Sequence, residues 1–240
     1  MFQGKKISLI LPAYNEESSV YDSINKFSKV KLIDEIIVVD NNSTDNTANL
    51  IKKTNAKYIF EKIQGYGSAI RRGLEESSGD LLITCEPDGS FEESDLERII
   101  QYTKDYDCVF GTRTSKNYIK KGAKMYFLLR IGNILVAKML SLLFPPYVFS
   151  DVGCTYKIIS RETYNKFKNK LKVIGSELSP ELMIWPLIYR KKVIEVPVVY
   201  KARRGESKIT KDFLSTAILA LKMILLILKL RVKSLFISKL

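Results

Sequence analysis

Residues 7–41, ISLILPAYNEESSVYDSINKFSKVKLIDEIIVVDN, decide the fold. Two apolar runs, ISLILPA at 7–13 and EIIVVDN at 35–41, are continuous rather than alternating, which predicts strands buried on both faces. The helix-patterned stretch EESSVYDSINKFSKV lies between them and makes a strand–helix–strand unit. Outward from it the pattern repeats. STDNTANLIKK begins with helix-capping residues, AKYIFEK predicts a short third strand, and QGYGSAIRRGLEESSG a helix led and closed by glycine. DLLITCEPD (80–88), EESDLERIIQYTK and CVFGTR (108–113) then add strand, helix and strand. This order predicts an α/β fold with a doubly wound, mainly parallel sheet.

After Arg113 the texture changes. A long apolar and basic helical region covers 123–144, TYKIISR and VIEVPVVYK predict further strands with a helix around Glu177–Tyr189 between them, and a last helix begins near Lys211. The division that follows is a catalytic domain over 1–210, in halves 1–113 and 114–210, and a C-terminal amphipathic helix over 211–240.

The chain has no histidine, which excludes Ser-His-Asp and Cys-His nucleophile systems and histidine metal sites. A metal here must sit on carboxylates, carbonyls and phosphates, which suits Mg²⁺ or Mn²⁺. Cys85, Cys108 and Cys154 fall at unrelated spacings and predict small buried hydrophobes in a reducing compartment.

The net charge of +13 is concentrated. Residues 111–150 hold seven basic side chains and no acidic one, and residues 200–240 hold ten basic and two acidic. Both segments are rich in aliphatic residues, the combination that suits a membrane surface rather than nucleic acid. On a helical wheel at ~100° per residue, Lys211, Lys222, Lys229 and Lys233 fall within roughly 40°, and Arg231 points the other way. A transmembrane helix needs ~18 or more residues with few charges, and no such run occurs. The N-terminus, MFQGKKISLILPAYNEE, turns acidic too soon for a signal peptide. The expectation is a helix lying in the interface with its lysines toward the headgroups; the alternatives are a helix packed on its own domain with solvated lysines, and a tilted span in an oligomer with snorkelling lysines.

In an open parallel sheet, ligands bind beyond the carboxyl ends of the strands, and the polar residues fall there. Strand one ends in Pro12-Ala13-Tyr14-Asn15-Glu16, strand two in Asp40-Asn41-Asn42-Ser43, strand four in Glu86-Pro87-Asp88. Three strands delivering carboxylates to one rim need a cation or donor groups, so divalent-metal and ribose recognition is the economical explanation. G-x-G-x-x-G after strand one and G-x-x-x-x-G-K-[ST] are both absent, which removes the main support for dinucleotide-binding and P-loop sites. The Gly65-Tyr66-Gly67 turn fits a backbone approach to a nucleotide or simply a tight helix entry.

PAYNE, VVDNNSTDNT, GYGSAIRRGL and an acidic pair before DGSF resemble the family-two inverting glycosyltransferases of the A-type, nucleotide-diphospho-sugar transferase fold. With GTR, GCTYKIISRE and VPVVYKARRGESK, the resemblance narrows to the dolichyl-phosphate mannosyltransferase group and its prokaryotic relatives, over residues 5–210. It implies that 1–113 is the nucleotide-sugar half and 114–210 the acceptor half. It implies that Pro12, Tyr14 and Glu16 line the nucleotide pocket, that Asp40 contacts base or ribose, and that Gly67 with Ala69 closes over the nucleotide. The resemblance further implies that Asp88, with Glu86 and Ser90, would hold Mg²⁺ or Mn²⁺ on the donor pyrophosphate; Glu86 departs from the usual D-x-D. By the same resemblance Arg113 and Arg130 are expected to face an acceptor phosphate, and Arg203, Arg204, Ser207 and Lys208 to belong to a loop over the donor pyrophosphate. Lys157 stands where relatives often carry Arg, keeping the charge and losing the fork.

Asp151 is a base if the acceptor is a hydroxyl and a positioning residue if it is a phosphate, which is already an anion. The leading expectation is an enzyme that moves a hexose from a GDP-mannose or UDP-glucose type donor to a polyprenyl phosphate. It would work as a peripheral, monotopic protein at the cytoplasmic membrane face, with no nucleic-acid partner. The alternatives are transfer to a sugar hydroxyl of a lipid-linked or surface glycan, and an inactive membrane-peripheral module.

Overall fold

A computed structural model describes residues 1–123, 127–205 and 213–237. Strand β1 (Ile7–Ala13) lies at the middle of one half of the sheet, parallel to β2 (Glu35–Asp40) on one side and to β4 (Leu81–Thr84) on the other. β3 (Lys57–Phe60) extends the sheet beyond β2. On the far side come β5 (Cys108–Thr112), β6 (Lys157–Ser160) and β7 (Val193–Pro197), giving the seven-stranded order β3-β2-β1-β4-β6-β5-β7. Only β6 runs antiparallel among these strands, between β4 and β5. The architecture is therefore the mainly parallel α/β sheet that the alternation predicts.

Strand alternation splits the interior into two layers. Ile10 faces one side of the sheet with Leu82, Phe110 and Ile159, while Leu9 and Leu11 face the other with Ile83 and Val109. The second layer is covered by α1 (Val20–Phe27) and α4 (Asp95–Ile99). The first is covered by α3 (Tyr66–Glu76), α5 (Phe127–Leu143), α6 (Arg161–Phe167) and α7 (Leu178–Ile188). Helix α2 (Thr47–Lys52) bridges β2 and β3. In α7 every residue from Leu178 to Leu187 is buried, so it is the central helix of its layer. The three cysteines are free and buried.

The structure adds two features to the sequence expectation. Helix α6 follows β6 without a loop, started by Ser160, whose hydroxyl accepts from the Thr163 amide. Strand four ends at Thr84; the Cys85 amide still donates to the Ile10 carbonyl of β1 (3.1 Å), and Glu86–Asp88 turn away to form the rim of the site.

Helix α8 (Phe213–Ile237) packs on α5 and α7. Met223, Ile227 and Leu230 enter the core, each stabilising the contact by roughly 2 kcal/mol. Down the opposite side run Leu214, Ile218, Leu221, Leu225, Leu228, Val232 and Leu235, all exposed and spaced four and three residues alternately. Lys222, Lys229 and Lys233 flank this stripe in solvent, and Arg231 lies on the other flank over the Phe144 ring. No helix among the described residues is long and apolar enough to cross a membrane.

Candidate active site

The carboxyl ends of β1, β2 and β4 open into a cavity of about 420 Å³, a volume suited to a small-molecule ligand. Pro12, Tyr14, Glu16, Ala69, Glu86 and Arg203 line it, six of the residues that the sequence points to. Asn41 and Tyr66, which lie inside the VVDNNSTDNT and GYGSAIRRGL stretches without a role assigned to them from sequence, also line it, as do Gln64, Gly175 and Ser176, which no motif singles out. Asn41 is the joint of this rim: its amide donates to the Glu61 and Ile63 carbonyls (3.2 and 2.8 Å), and its carbonyl oxygen accepts from Gly65 N (2.7 Å). Asn15, at a positive φ of 52°, ties the β1 loop to the β2 loop by accepting from Thr44 N (2.8 Å).

Asp40 lies behind the cavity wall, 2% exposed, accepting from Ser43 N (3.0 Å) and the Tyr58 hydroxyl (3.1 Å). Gly67 is buried, and its bare face is turned to the backbone of Val173 and Ile174. Lys208, with Ser207, lies outside the described residues.

Beyond β4, Glu86 and Asp88 share one turn. Burial, with the Asp88 carboxylate second, pushes the Glu86 carboxyl up to about 8, while Arg203 and Arg113 pull against that rise. Asp88 is 2% exposed; it accepts from Ser90 N (2.9 Å), and its backbone carbonyl accepts from Arg204 N (2.8 Å). Arg203 Nε stands 3.6 Å from Asp88 Oδ2, and Arg203 Nη2 donates to Glu16 Oε1 (3.2 Å). Arg204 points out of the cavity and pairs with Asp22. The Ser90 hydroxyl is buried without a hydrogen-bond partner.

This donor set fits a hard divalent cation. Among the described residues no group of three or more acidic or thiol side chains forms a closed cage. Two carboxylates with an open side are what Mg²⁺ or Mn²⁺ uses when substrate phosphates complete its shell.

The second cluster is built on Arg113, just past β5, and Asp151. Asp151 is fully buried and accepts five hydrogen bonds: from Arg113 N and Nε (both 2.9 Å), Arg113 Nη2 (3.0 Å), Gly153 N (2.9 Å) and the Asn133 amide. Burial raises its carboxyl, but the Arg113 guanidinium and these donors outweigh it and hold the group at about 2. Asp151 engages Nε and Nη2 of Arg113, which fixes the plane of the fork over the Tyr200 ring (5.4 Å) and leaves Nη1 for a ligand. From β7, Glu195 accepts from Ser150 N (2.9 Å) and Asp151 N (3.0 Å), so the turn bearing Asp151 is itself anchored. Arg130, on α5, donates to the Thr114 carbonyl (2.5 Å) beside this cluster.

The mainly parallel seven-stranded sheet with helices on both faces is the A-type fold of glycosyltransferases. The chain belongs to glycosyl transferase family 2, whose sequence model matches residues 8–167, and is a glycosyltransferase. It is 29% identical over 208 residues to a dolichyl-phosphate hexose transferase of Haloferax volcanii, covering 85% of this chain and 86% of that one. It is 28% identical over 229 residues to a dolichol-phosphate mannosyltransferase of Pyrococcus furiosus, covering 85% of this chain and 59% of the relative. In fold it is similar to glucosyl-3-phosphoglycerate synthase of Mycobacterium tuberculosis, solved with Mn²⁺, UDP and glucosyl-3-phosphoglycerate. The TM-score is 0.70 at 19% identity, over 95% of this chain and 80% of that one.

Proposed function

We propose that this glycosyltransferase moves a hexose, with inversion, from a nucleotide sugar of the GDP-mannose or UDP-glucose type to a polyprenyl phosphate at the cytoplasmic face of a membrane. The observation that carries the choice of acceptor is Asp151. A carboxylate held at about 2 and engaged by five donors is a poor proton acceptor, so it suits a phosphate nucleophile, which needs no base, better than a hydroxyl. The names of the Haloferax and Pyrococcus relatives agree with a polyprenyl-phosphate acceptor.

The donor's nucleoside enters beside Pro12, Tyr14 and Asn41, with Asp40 behind them, and its pyrophosphate meets Arg203. Glu86 and Asp88, with Ser90 beside them, would hold Mg²⁺ or Mn²⁺, which when bound supplies charge neutralisation to the leaving diphosphate. The Mn²⁺ of the Mycobacterium neighbour supports that assignment. The Nη1 edge of Arg113, fixed in place by Asp151, orients the acceptor phosphate for in-line attack on the anomeric carbon, with Arg130 a second contact. The exposed stripe of α8, with Leu135 and Leu142 of α5, supports peripheral seating on a lipid surface.

Asp151→Asn tests the acceptor. A positioning role predicts an acceptor KM raised about tenfold and kcat within roughly tenfold of the parent, whereas loss of a general base costs ~10²–10⁴ in kcat. A kcat loss at the upper end with an unchanged acceptor KM would favour the hydroxyl-acceptor enzyme.

A further inference from the structure

Past β7 the chain continues as a strap, residues 198–204, that touches both clusters of the site. Four consecutive amides of this strap are each taken by a different part of the fold. Val198 N donates to the Thr112 carbonyl of β5 (3.0 Å) and Val199 N to the Asp95 carboxylate of α4 (2.5 Å). Tyr200 N donates to the Tyr118 carbonyl (2.9 Å) and Lys201 N to the Ser90 carbonyl (2.7 Å). The Tyr200 carbonyl accepts from Lys120 N (2.8 Å), and Arg204 N donates to the Asp88 carbonyl (2.8 Å). Asp95 is itself fixed by Arg98, which donates to it through Nε and Nη2 and to the Pro197 carbonyl. With each of these backbone groups paired, the strap holds its side chains in place.

The side chain that profits is Tyr200. The Arg113 guanidinium carbon stands 5.4 Å from the centre of its ring, within reach of a cation–π contact. Phe91, 4% exposed, meets the same ring edge-on (5.8 Å between centres, 61° between planes) and rests edge-on against buried Tyr156 (5.4 Å, 77°). Phe91 follows Ser90 directly on the turn that bears Asp88, and Arg203, three residues beyond Tyr200, reaches Glu16 and Asp88. Asp151 holds the Arg113 guanidinium by two of its nitrogens, and the Tyr200 ring lies under its carbon. We infer that Tyr200 is a positioning residue that acts through Arg113. The ring seats the guanidinium, and the strap ties it to the Asp88–Phe91 turn, so the acceptor arginine and the acidic pair keep one spacing. In-line transfer needs that spacing, because a small misplacement of either reactant is costly. The inference rests on the reading of Arg113 as the acceptor-phosphate group and adds to it what fixes that group relative to the donor side.

The test measures transfer to polyprenyl phosphate by the full chain in Mn²⁺, with whichever of GDP-mannose and UDP-glucose is accepted, and binding of GDP and UDP by calorimetry. Tyr200→Leu and Tyr200→Met both fill the space without a π face, so a packing fault peculiar to one shape is caught by the other. Each is expected to raise the acceptor KM about tenfold, with kcat within about threefold and nucleoside diphosphate binding within roughly twofold of the parent. Tyr200→Phe keeps the face and is expected to restore the acceptor KM to within about twofold. On an Arg113→Met background, Tyr200→Leu is expected to change acceptor kcat/KM by no more than about twofold, since the group it acts through is gone. A full tenfold loss on that background would overturn the inference, as would a Tyr200→Phe as impaired as Tyr200→Leu. Nucleotide binding weakened as much as acceptor KM in both fillers, or no change in either, would do the same. Absence of transfer by the unaltered protein while it still binds a nucleoside diphosphate would overturn the acceptor reading, and the role of Tyr200 with it.

Discussion

Asp151 is a carboxylate gripped by five donors, and on the proposed function that grip separates a positioning residue from a general base. The turn that follows it is gripped from below as well. The Lys157 ammonium, 1% exposed, donates to the Cys154 carbonyl and to Ser179 Oγ (3.0 Å), and Ser179 donates to the Val152 carbonyl (2.6 Å). Burial lowers Lys157 from 10.5 to about 8, against the upward pull of Cys154 and Asp151. Between those two values the unfolded chain binds the proton that the folded chain has released, so this group makes stability rise with pH across that window. Below about 8 its cost is fully present. Urea unfolding of the parent and Lys157→Met at pH 7.5 and pH 10 checks this: the gap between the two proteins is expected to shift toward the parent at the higher pH. An equal gap at both would contradict it. Asp151 and Arg113 were legible in the sequence because they sit in short motifs. Asn133 and Glu195, which hold Asp151, were not, because 18 and 44 residues of chain separate them from it and no local pattern records the contact.

At the scale of elements, the alternating strands and helices through Arg113 were legible, since continuous apolar runs and capping residues act locally. The direction of β6 was not. Its pattern, KIIS, has a period but no polarity, and the long excursion from β5 through α5 is what returns it antiparallel between β4 and β5. Helix α6 escaped notice for a related reason: seven residues give two turns, too few for a periodic signal. Helix α8 carries two apolar faces, and sequence shows both without saying which is covered. The structure covers Met223, Ile227 and Leu230 and leaves Leu221, Leu225 and Leu228 exposed beside the lysines. If that outer stripe seats on lipid, Leu221→Glu/Leu225→Glu/Leu228→Glu should lose co-flotation with anionic vesicles at least about tenfold while its melting temperature holds, because these side chains contribute little to the core. Undiminished flotation would contradict the peripheral seating.

At the scale of the whole molecule, the parts lie along one path. The strand-end cavity faces Glu86, Asp88 and Arg203; Arg113 and Asp151 stand next to them; and α5, which supplies Asn133 and Arg130 to that cluster, carries Leu135 and Leu142 on its exposed side and packs on α8. On the proposed function, the Asn133 and Arg130 side of α5 serves the anionic headgroup and its exposed leucines lie toward the lipid, which is what an acceptor with a charged head and an apolar tail requires. The most direct test offers purified protein radiolabelled GDP-mannose and UDP-glucose in turn, with Mn²⁺ or Mg²⁺, and compares polyprenyl phosphate with the matching polyprenol as acceptor. The account predicts metal-dependent label in the organic phase from one donor, with the phosphate and not with the alcohol. Label on the alcohol, or none on the phosphate from either donor, would contradict it.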